Sequence, residues 1–248
     1  MNNKSKQIIL LTILILLLIL INYSFIDNFL IKTFENPQSL FVSRIIDGDT
    51  IEADNLTIRL MGINCPERGE KYYLKAKEFL ENSILNKPIQ IESFGKDRYY
   101  RELAYIFYKT KNIDIQLVEN GLANIYILEN KKYKKQLNEA WEKCLKKNIN
   151  LCEKSQNKCV ECIQIKKFNY KDDFVIFENI CNFNCNLNNW SIKDEGRKKY
   201  IFENTNINSN QEIKITSEDF NQNYVWTDTG DTLFLRDDQE KLVLWKNY

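Results

Sequence analysis

The stretch IRLMGINCPE, residues 58–67, decides the fold of the middle of the chain. Arg59 stands there among aliphatic residues that favour a β-strand. An arginine in such a strand has to face solvent or pair with an anion, because an unpaired buried guanidinium is costly. Gly62 and Pro66 then turn the chain, and Glu67 follows directly. An arginine and a carboxylate therefore lie at the two ends of one short turn.

Two further stretches carry charged residues next to apolar segments. IDGDT, residues 46–50, places Asp47 and Asp49 around a glycine turn. DRYYRELAYIFY, residues 97–108, places Arg101 directly before an apolar strand. Each stretch alone is typical of an ordinary turn or a solvated strand end. Only the three stretches together indicate a functional site.

Composition limits the chemistry that this chain can perform. Its 248 residues include no histidine, and the net charge is +1. The absence of histidine excludes Ser-His-Asp and Cys-His catalysis, histidine-ligated zinc and a histidine general base. Acid–base chemistry therefore has to come from carboxylates, lysine, tyrosine or cysteine, with arginine as the electrostatic partner.

Strand-like and helix-like segments alternate between residues 41 and 155 and predict an α+β domain. The predicted strands are 41–46, 50–54, 57–63, 89–94 and 103–109, which are rich in Ile, Tyr, Phe and Leu. The predicted helices are 70–85, 114–120 and 130–147.

In their order along the chain, residues 46–50, 58–67 and 97–108 resemble the thermonuclease (staphylococcal-nuclease-like) family, and the resemblance covers residues 41–153. The segment Gly121-Leu122-Ala123, followed by Tyr126, adds to the resemblance. The resemblance implies an OB-type five-stranded β-barrel with helices packed around it. It also implies calcium-dependent hydrolysis of phosphodiester bonds in DNA, RNA or both.

The resemblance assigns catalytic and metal-binding roles to the charged residues. Asp49 would be a direct Ca²⁺ ligand with Asp47 close behind it, because this hard cation prefers oxygen ligands. Glu67 would position or deprotonate the attacking water. Arg59 and Arg101 would clamp the phosphate through forked hydrogen bonds.

Four more residues complete the implied site, and two of them depart from the family pattern. Tyr99 and Tyr126 would line the nucleotide pocket. Asn64 stands where the family has a second calcium carboxylate, and Cys65 stands where threonine is usual and would offer its backbone carbonyl. The lost negative charge predicts weaker calcium binding. Two interpretations stay open: an active nuclease, or a catalytically weak or inactive nucleic-acid-binding surface protein.

Residues 160–248 predict an all-β sandwich, because short strand-like segments alternate there with turns rich in Asn, Asp and Gly. The predicted strands are 162–169, 174–180, 189–194, 199–203, 212–217, 224–227, 231–236 and 241–246. Segments 186–202 and 226–245 resemble a lamin-tail-type domain. This resemblance implies an immunoglobulin-like fold with a binding or spacing role and an unknown partner.

The first 30 residues predict a transmembrane helix. Lys4 and Lys6 precede an apolar run that ends at Ile21, and the uncharged stretch of residues 7–26 has about the ~20 residues that cross a bilayer. A cleaved signal peptide is the alternative, although no small-x-small cleavage site follows. The two lysines favour a cytoplasmic amino end. Residues 31–40 would then be a tether, with the folded parts outside the cell, either membrane-anchored or secreted.

The predicted location outside a membrane decides how the seven cysteines are interpreted. Six of them predict structural disulfides in an extracellular chain, and these are Cys144, Cys152, Cys159, Cys162, Cys181 and Cys185. A four-thiolate zinc site made by the last four is the alternative. Cys65 is the odd one, and its acidic neighbours predict a raised pKa that disfavours a nucleophilic role.

Overall fold

The chain divides into two units, Met1–Gln38 and Ser39–Tyr248. The computed structural model describes residues 3–22, 39–126, 132–228 and 230–248. The first unit contains helix α1 (Asn3–Ile21). Within the described residues, no helix is long and apolar enough to cross a membrane. Most of the expected tether, residues 31–38, lies outside the described residues.

The first half of the second unit is a β-barrel, called here the barrel part (residues 39–155). Its strands are β1 (Ser39–Ile45), β2 (Thr50–Ala53), β3 (Leu56–Leu60), β4 (Ile63–Asn64), β5 (Pro88–Lys96), β6 (Glu102–Tyr108), β7 (Lys111–Asn112) and β8 (Asn124–Ile125). The order of the main sheet is β3-β2-β1-β5-β6-β7. The five long strands are β1, β2, β3, β5 and β6. A parallel pairing of β3 with β6 closes their sheet into a barrel. All five strands were predicted from the sequence within a few residues.

Three helices pack on this barrel, and each buries one apolar face. They are α2 (Tyr73–Ile84), α3 (Ile113–Glu119) and α4 (Lys134–Lys147). In α2 the buried residues Ala76, Leu80 and Ile84 follow one another at a spacing of four, which places them on one helical face. The prediction started α2 at residue 70, but residues 67–72 form a turn instead, in which the Glu67 amide donates to the Glu70 side chain.

The second half of this unit is all β and is called here the tail part (residues 156–248). Its strands are β9 (Ile163–Asn169), β10 (Phe174–Asn179), β11 (Cys185–Asn186), β12 (Ser191–Lys193), β13 (Lys199–Ile201), β14 (Asn206–Ile207), β15 (Glu212–Thr216), β16 (Thr232–Arg236) and β17 (Leu242–Asn247). A three-stranded sheet and a four-stranded sheet enclose one apolar core. The all-β prediction is confirmed, and the lamin-tail relationship stays a prediction.

One predicted strand of the tail part is wrong. Residues 224–227 form no strand, because a carboxylate replaces the neighbouring strand as hydrogen-bond acceptor. The backbone amides of Val225 and Trp226 donate to the two oxygens of Asp173, at 2.7 and 3.0 Å.

The six predicted cysteines form three disulfides. The pairs are Cys144–Cys152, Cys159–Cys185 and Cys162–Cys181. The first ties the end of α4 to the following turn, and the other two lie in the tail part. The four-thiolate zinc site is therefore not formed. Cys65 is free and buried.

The barrel part and the tail part share a hydrophobic core. Trp141 of α4 packs edge-to-face against Phe234 and Trp245 of the tail part, with ring centroids 5.7 and 5.9 Å apart. A backbone hydrogen bond also joins the two parts, since the amide of Leu242 in the tail part donates to the carbonyl of Glu153 in the barrel part at 2.8 Å. The two parts therefore form a single packed body, in agreement with the one unit that spans Ser39–Tyr248.

Replacement of Trp141 by alanine tests this shared core. We expect Trp141→Ala to lower the free energy of unfolding by about 3–5 kcal/mol, because it removes a buried aromatic ring that packs against both the barrel part and the tail part. Urea unfolding followed by circular dichroism measures this loss, and the wild-type protein should unfold in one transition. The exposed aromatic substitution Tyr224→Ala is the control and should change stability little. Two separate wild-type transitions would contradict the shared core.

Asp114 gives the fold a dependence on pH. Its side chain is fully buried in the first turn of α3, where one carboxylate oxygen accepts from the Ile106 amide and the other has no hydrogen-bond partner among the described residues. Burial raises the pKa of Asp114 to about 8. A carboxyl group whose pKa is higher in the folded than in the unfolded state stabilises the fold most when it is protonated.

Stability should therefore fall as the pH rises from about 4, the ordinary pKa of an aspartate, to about 8. We expect Asp114→Asn to flatten this fall, because an amide does not ionise. Urea unfolding at a series of pH values measures it, with the exposed substitution Asp238→Asn as control. An unchanged pH dependence in Asp114→Asn would show that another group causes it.

Candidate active site

The Arg59 guanidinium lies at the centre of the site. Its side chain is 11% exposed and pairs with Asp49 at 3.2 Å. The same nitrogen donates to the Asn64 side-chain oxygen at 3.1 Å and to the Ile63 carbonyl at 3.0 Å. The other terminal nitrogen donates to the Leu60 carbonyl. Of the two possibilities that the sequence allowed for Arg59, solvent or an anion, the structure shows the pairing with an anion inside the protein.

Asp49 joins the acidic turn to the strand that follows Arg59. Its Oδ2 atom accepts from the Cys65 amide at 2.9 Å, and its Oδ1 atom accepts from the Thr50 hydroxyl at 3.1 Å. Asp47 accepts from the Asp49 amide at 3.1 Å. Burial raises the pKa of Asp49, Arg59 opposes this shift, and the nearby Asp47 carboxylate adds to it. Two carboxylates thus converge at a desolvated position.

The glycine between the two aspartates allows this arrangement. A Cβ atom on Gly48 would lie 2.7 Å from the Cβ of Ala76 and 2.8 Å from the Cβ of Cys65. Real Cβ atoms do not approach so closely, so only glycine lets the acidic turn pack on α2 and on the Cys65 segment. Burial and the Asp49 carboxylate raise the pKa of Cys65, as predicted, which disfavours its thiolate.

Arg101 and Tyr99 lie in the turn between β5 and β6, beside this centre. Asp97 accepts from the Arg101 side chain at 2.7 and 2.8 Å, and the Arg101 guanidinium carbon is 5.5 Å from the centre of the Tyr99 ring. Burial alone would raise the pKa of Asp97, but hydrogen bonds from Arg101 and Tyr99 lower it. Arg59 pairs with Leu103 in parallel register. This register brings the turn that carries Arg101, two residues before Leu103, next to strand β3.

Glu67 and Tyr126 lie at the edge of the site that faces the tail part. The Glu67 carboxylate pairs with Arg197 at 2.7 Å. The Tyr126 amide donates to the Gly62 carbonyl at 2.9 Å. Burial raises the pKa of the half-buried Tyr126, and the Glu195 carboxylate adds to the shift. Neither side chain has a hydrogen bond or ion pair with Asp49 or Arg59 in the described part of the chain.

The tail part contacts the site through residues that the sequence did not indicate. The Asn64 amide nitrogen donates to the backbone carbonyls of Glu195 and Gly196, at 3.3 and 3.0 Å. Lys193 donates to both carboxylate oxygens of Glu70, at 2.7 and 2.8 Å. Asp97, the partner of Arg101, was also missed, although its spacing of four residues was visible in DRYYR.

The donor atoms suit a hard cation only in part. Asp47 and Asp49 offer carboxylate oxygens, which Ca²⁺ prefers. The Asn64 side-chain oxygen already accepts from Arg59, and the Cys65 amide is bonded to Asp49. Among the described residues, no group of three or more Cys, Asp and Glu side chains is arranged to hold a metal ion. The oxygen donors of Asp47 and Asp49 are thus of the type that would hold a hard cation.

Comparisons with known proteins show what this chain is similar to. The family model "Staphylococcal nuclease homologue" matches residues 57–154. An "Uncharacterized endonuclease" of Haemophilus influenzae is 33% identical over 90 residues, which are 34% of this chain and 51% of the relative. A "Thermonuclease" of Staphylococcus intermedius is 30% identical over 130 residues, which are 47% of this chain and 77% of the relative. A "Thermonuclease" of Staphylococcus hyicus is 32% identical and is covered to 76%.

The chain belongs to the staphylococcal nuclease homologue family. It covers more than two thirds of two thermonucleases at 30% identity or more. The expected enzyme class, a phosphodiester-hydrolysing nuclease, is supported by this membership. The chain spans about half the length of the Haemophilus relative. The family match ends at residue 154, before the tail part begins.

Asn64→Asp tests the contact between the site and the tail part. The substitution removes two N–H donors and sets a carboxylate oxygen against two backbone carbonyls. We expect the free energy of unfolding in EDTA to fall by about 1–3 kcal/mol, the cost of leaving buried polar groups unsatisfied. Urea unfolding measures this loss, with Asn82→Asp on an exposed face of α2 as the matched control. Equal stability of wild type and Asn64→Asp would show that the two carbonyls do not need the amide.

Proposed function

We propose that the barrel part catalyses calcium-dependent hydrolysis of phosphodiester bonds in DNA or RNA. The observation that carries this proposal is the largely buried Arg59 guanidinium, held between Asp49 and Asn64, with a second arginine, Arg101, paired to Asp97 in a neighbouring turn. Family membership and the relatives named thermonuclease or endonuclease support it. Those names also support cleavage within the nucleic-acid chain.

The residues provide what this reaction requires. A phosphodiester is anionic and resists attack, so catalysis needs an activated water and donors for the charge that develops on the phosphate. Glu67 would orient or deprotonate that water as the general base. Arg59 and Arg101 would donate forked hydrogen bonds to the phosphate oxygens. Carboxylates already hold both guanidinium groups, so their orientation is set before the substrate binds.

Asp49 and Asp47 would hold the calcium ion, with the Asn64 and Cys65 oxygens as further ligands. When bound, the ion would supply positive charge to stabilise the phosphate in the transition state. The raised pKa of the desolvated Asp49 is consistent with a cation site, because a cation relieves the cost of a buried carboxylate. Tyr99 and Tyr126 would contact the nucleotide.

We further propose that the folded unit works outside the cytosol, in membrane-anchored or secreted form. The three disulfides support this location, since such bonds persist in oxidising compartments. The tail part would serve as a binding or spacing domain of the lamin-tail type.

The second candidate function is nucleic-acid binding without cleavage. The amide of Asn64 in place of a second carboxylate favours it, because calcium affinity depends on the charge of the ligands. The two candidates differ in one observable, which is whether the bound nucleic acid is cut.

Cleavage of plasmid and single-stranded DNA by residues 31–248 distinguishes the candidates. We expect cleavage at millimolar calcium and none in EDTA. Arg101→Ala should slow cleavage by about 10²-fold or more, because a donor to the transition state is removed. Arg44→Ala, which removes an exposed arginine paired with Glu52, is the matched control and should leave the rate unchanged. Full activity in EDTA would contradict the proposal, and binding without cleavage would favour the second candidate.

A further inference from the structure

A turn of the tail part closes one side of the nuclease site. This turn, called here the tail turn (residues 194–198), joins β12 to β13, whose end residues Lys193 and Lys199 pair directly. The Asp194 amide donates to the Lys198 carbonyl at 3.1 Å, and the Asp194 carboxylate accepts from the Lys198 amide at 2.9 Å. The turn is therefore closed by its own hydrogen bonds.

The tail turn is also fixed to the rest of the tail part. The Glu195 amide donates to Asp231 at 3.2 Å, and the Glu195 carboxylate accepts from the Thr232 hydroxyl at 3.1 Å. Both Asp194 and Glu195 are buried. The tip of the turn, Gly196 and Arg197, thus projects from a rigid base.

Three contacts join this region to the segment that carries the expected general base. Asn64 donates to the carbonyls of Glu195 and Gly196, Arg197 pairs with Glu67, and Lys193 pairs with Glu70. Burial alone would raise the pKa of Glu70, but Lys193 lowers it below its ordinary value. The positively charged side chains all come from the tail part and the carboxylates from the barrel part. The two ion pairs therefore have the same polarity across the contact between the two parts.

The shared core holds the tail turn in place against the barrel part. Trp141, Phe234 and Trp245 pack together behind the turn, and the Glu153 and Leu242 backbones are hydrogen-bonded. A turn that had to swing away from the site would break these apolar contacts. The geometry therefore favours a fixed wall of the site over a removable cap.

We propose that Arg197 is a positioning residue of the nuclease site, which holds the Glu67 carboxylate where it meets the attacking water. This inference rests on the proposed nuclease function. The Nε atom of Arg197 is 2.7 Å from Glu67 Oε1, and no second ion pair of Arg197 occurs in the part of the chain that the structure describes. The backbone of Glu67 is held by the turn before α2, where its amide donates to the Glu70 carboxylate and its carbonyl accepts from the Glu70 amide. The tail part thus completes a site whose reacting groups lie in the barrel part.

The test compares kcat and KM on single-stranded DNA at saturating calcium for wild type, Arg197→Ala and Arg197→Lys. Lys241→Ala is the matched control, since it also removes an ion pair between the two parts, with Glu153 at 3.0 Å, and does not touch Glu67. Arg197→Ala should lower kcat about tenfold through misplacement of the base, with KM nearly unchanged. Arg197→Lys should restore most of kcat, and Lys241→Ala should match wild type. Thermal midpoints should agree within a few degrees, because the pair is exposed.

The possible outcomes separate this inference from the proposed function. An active wild type with unchanged kcat in Arg197→Ala overturns the positioning role alone. A rise of kcat in Arg197→Ala also overturns it, because the ion pair would then restrain the base. A fall of kcat in Lys241→Ala as large as that in Arg197→Ala would show that the effect comes from the contact between the two parts and not from Glu67, and would overturn the positioning role. A wild type that cuts no substrate overturns the proposed function and this inference together.

Discussion

The pairing of the Arg59 guanidinium is the interaction on which the site depends. A buried charge has to be matched by partners, since its desolvation is otherwise uncompensated. Asp49 and Asn64 supply these partners from two different segments, and the Ile63 and Leu60 carbonyls complete them. The guanidinium therefore fixes the acidic turn against the segment that leads to Glu67. Loss of Arg59 would leave Asp49 as an unpaired buried carboxylate.

The same pairing connects the barrel part to the tail part. The Asn64 side chain uses its oxygen for Arg59 and its nitrogen for two carbonyls of the tail turn. A carboxylate at position 64 could serve the arginine but not the carbonyls. The departure from the family pattern at this position thus has a structural explanation, because an amide is the group that satisfies both neighbours. One negative charge fewer at the proposed cation site would be the consequence.

The sequence was sufficient for the parts of the structure that local patterns determine. The five barrel strands follow from segments rich in Ile, Tyr, Phe and Leu, which favour β-structure. The need of Arg59 for solvent or an anion also follows from its aliphatic neighbours, but its partner Asp49 is identified only by the structure. The pairing of the cysteines did not follow, because spacing alone allows several connectivities. The contacts of Asn64 with the tail turn bridge 131 and 132 residues, and no local pattern reports such a distance. The predicted strand at residues 224–227 is wrong because the Asp173 carboxylate accepts hydrogen bonds from backbone amides that would have paired with a neighbouring strand.

The most direct test of this account is cleavage of single-stranded DNA by Arg59→Lys at saturating calcium. Lysine keeps the positive charge but not the planar fork that reaches Asp49, Asn64 and two carbonyls together. The account predicts a rate at least about 10²-fold below wild type, in protein that circular dichroism shows to be folded. A folded Arg59→Lys protein that cleaves at the wild-type rate would contradict it.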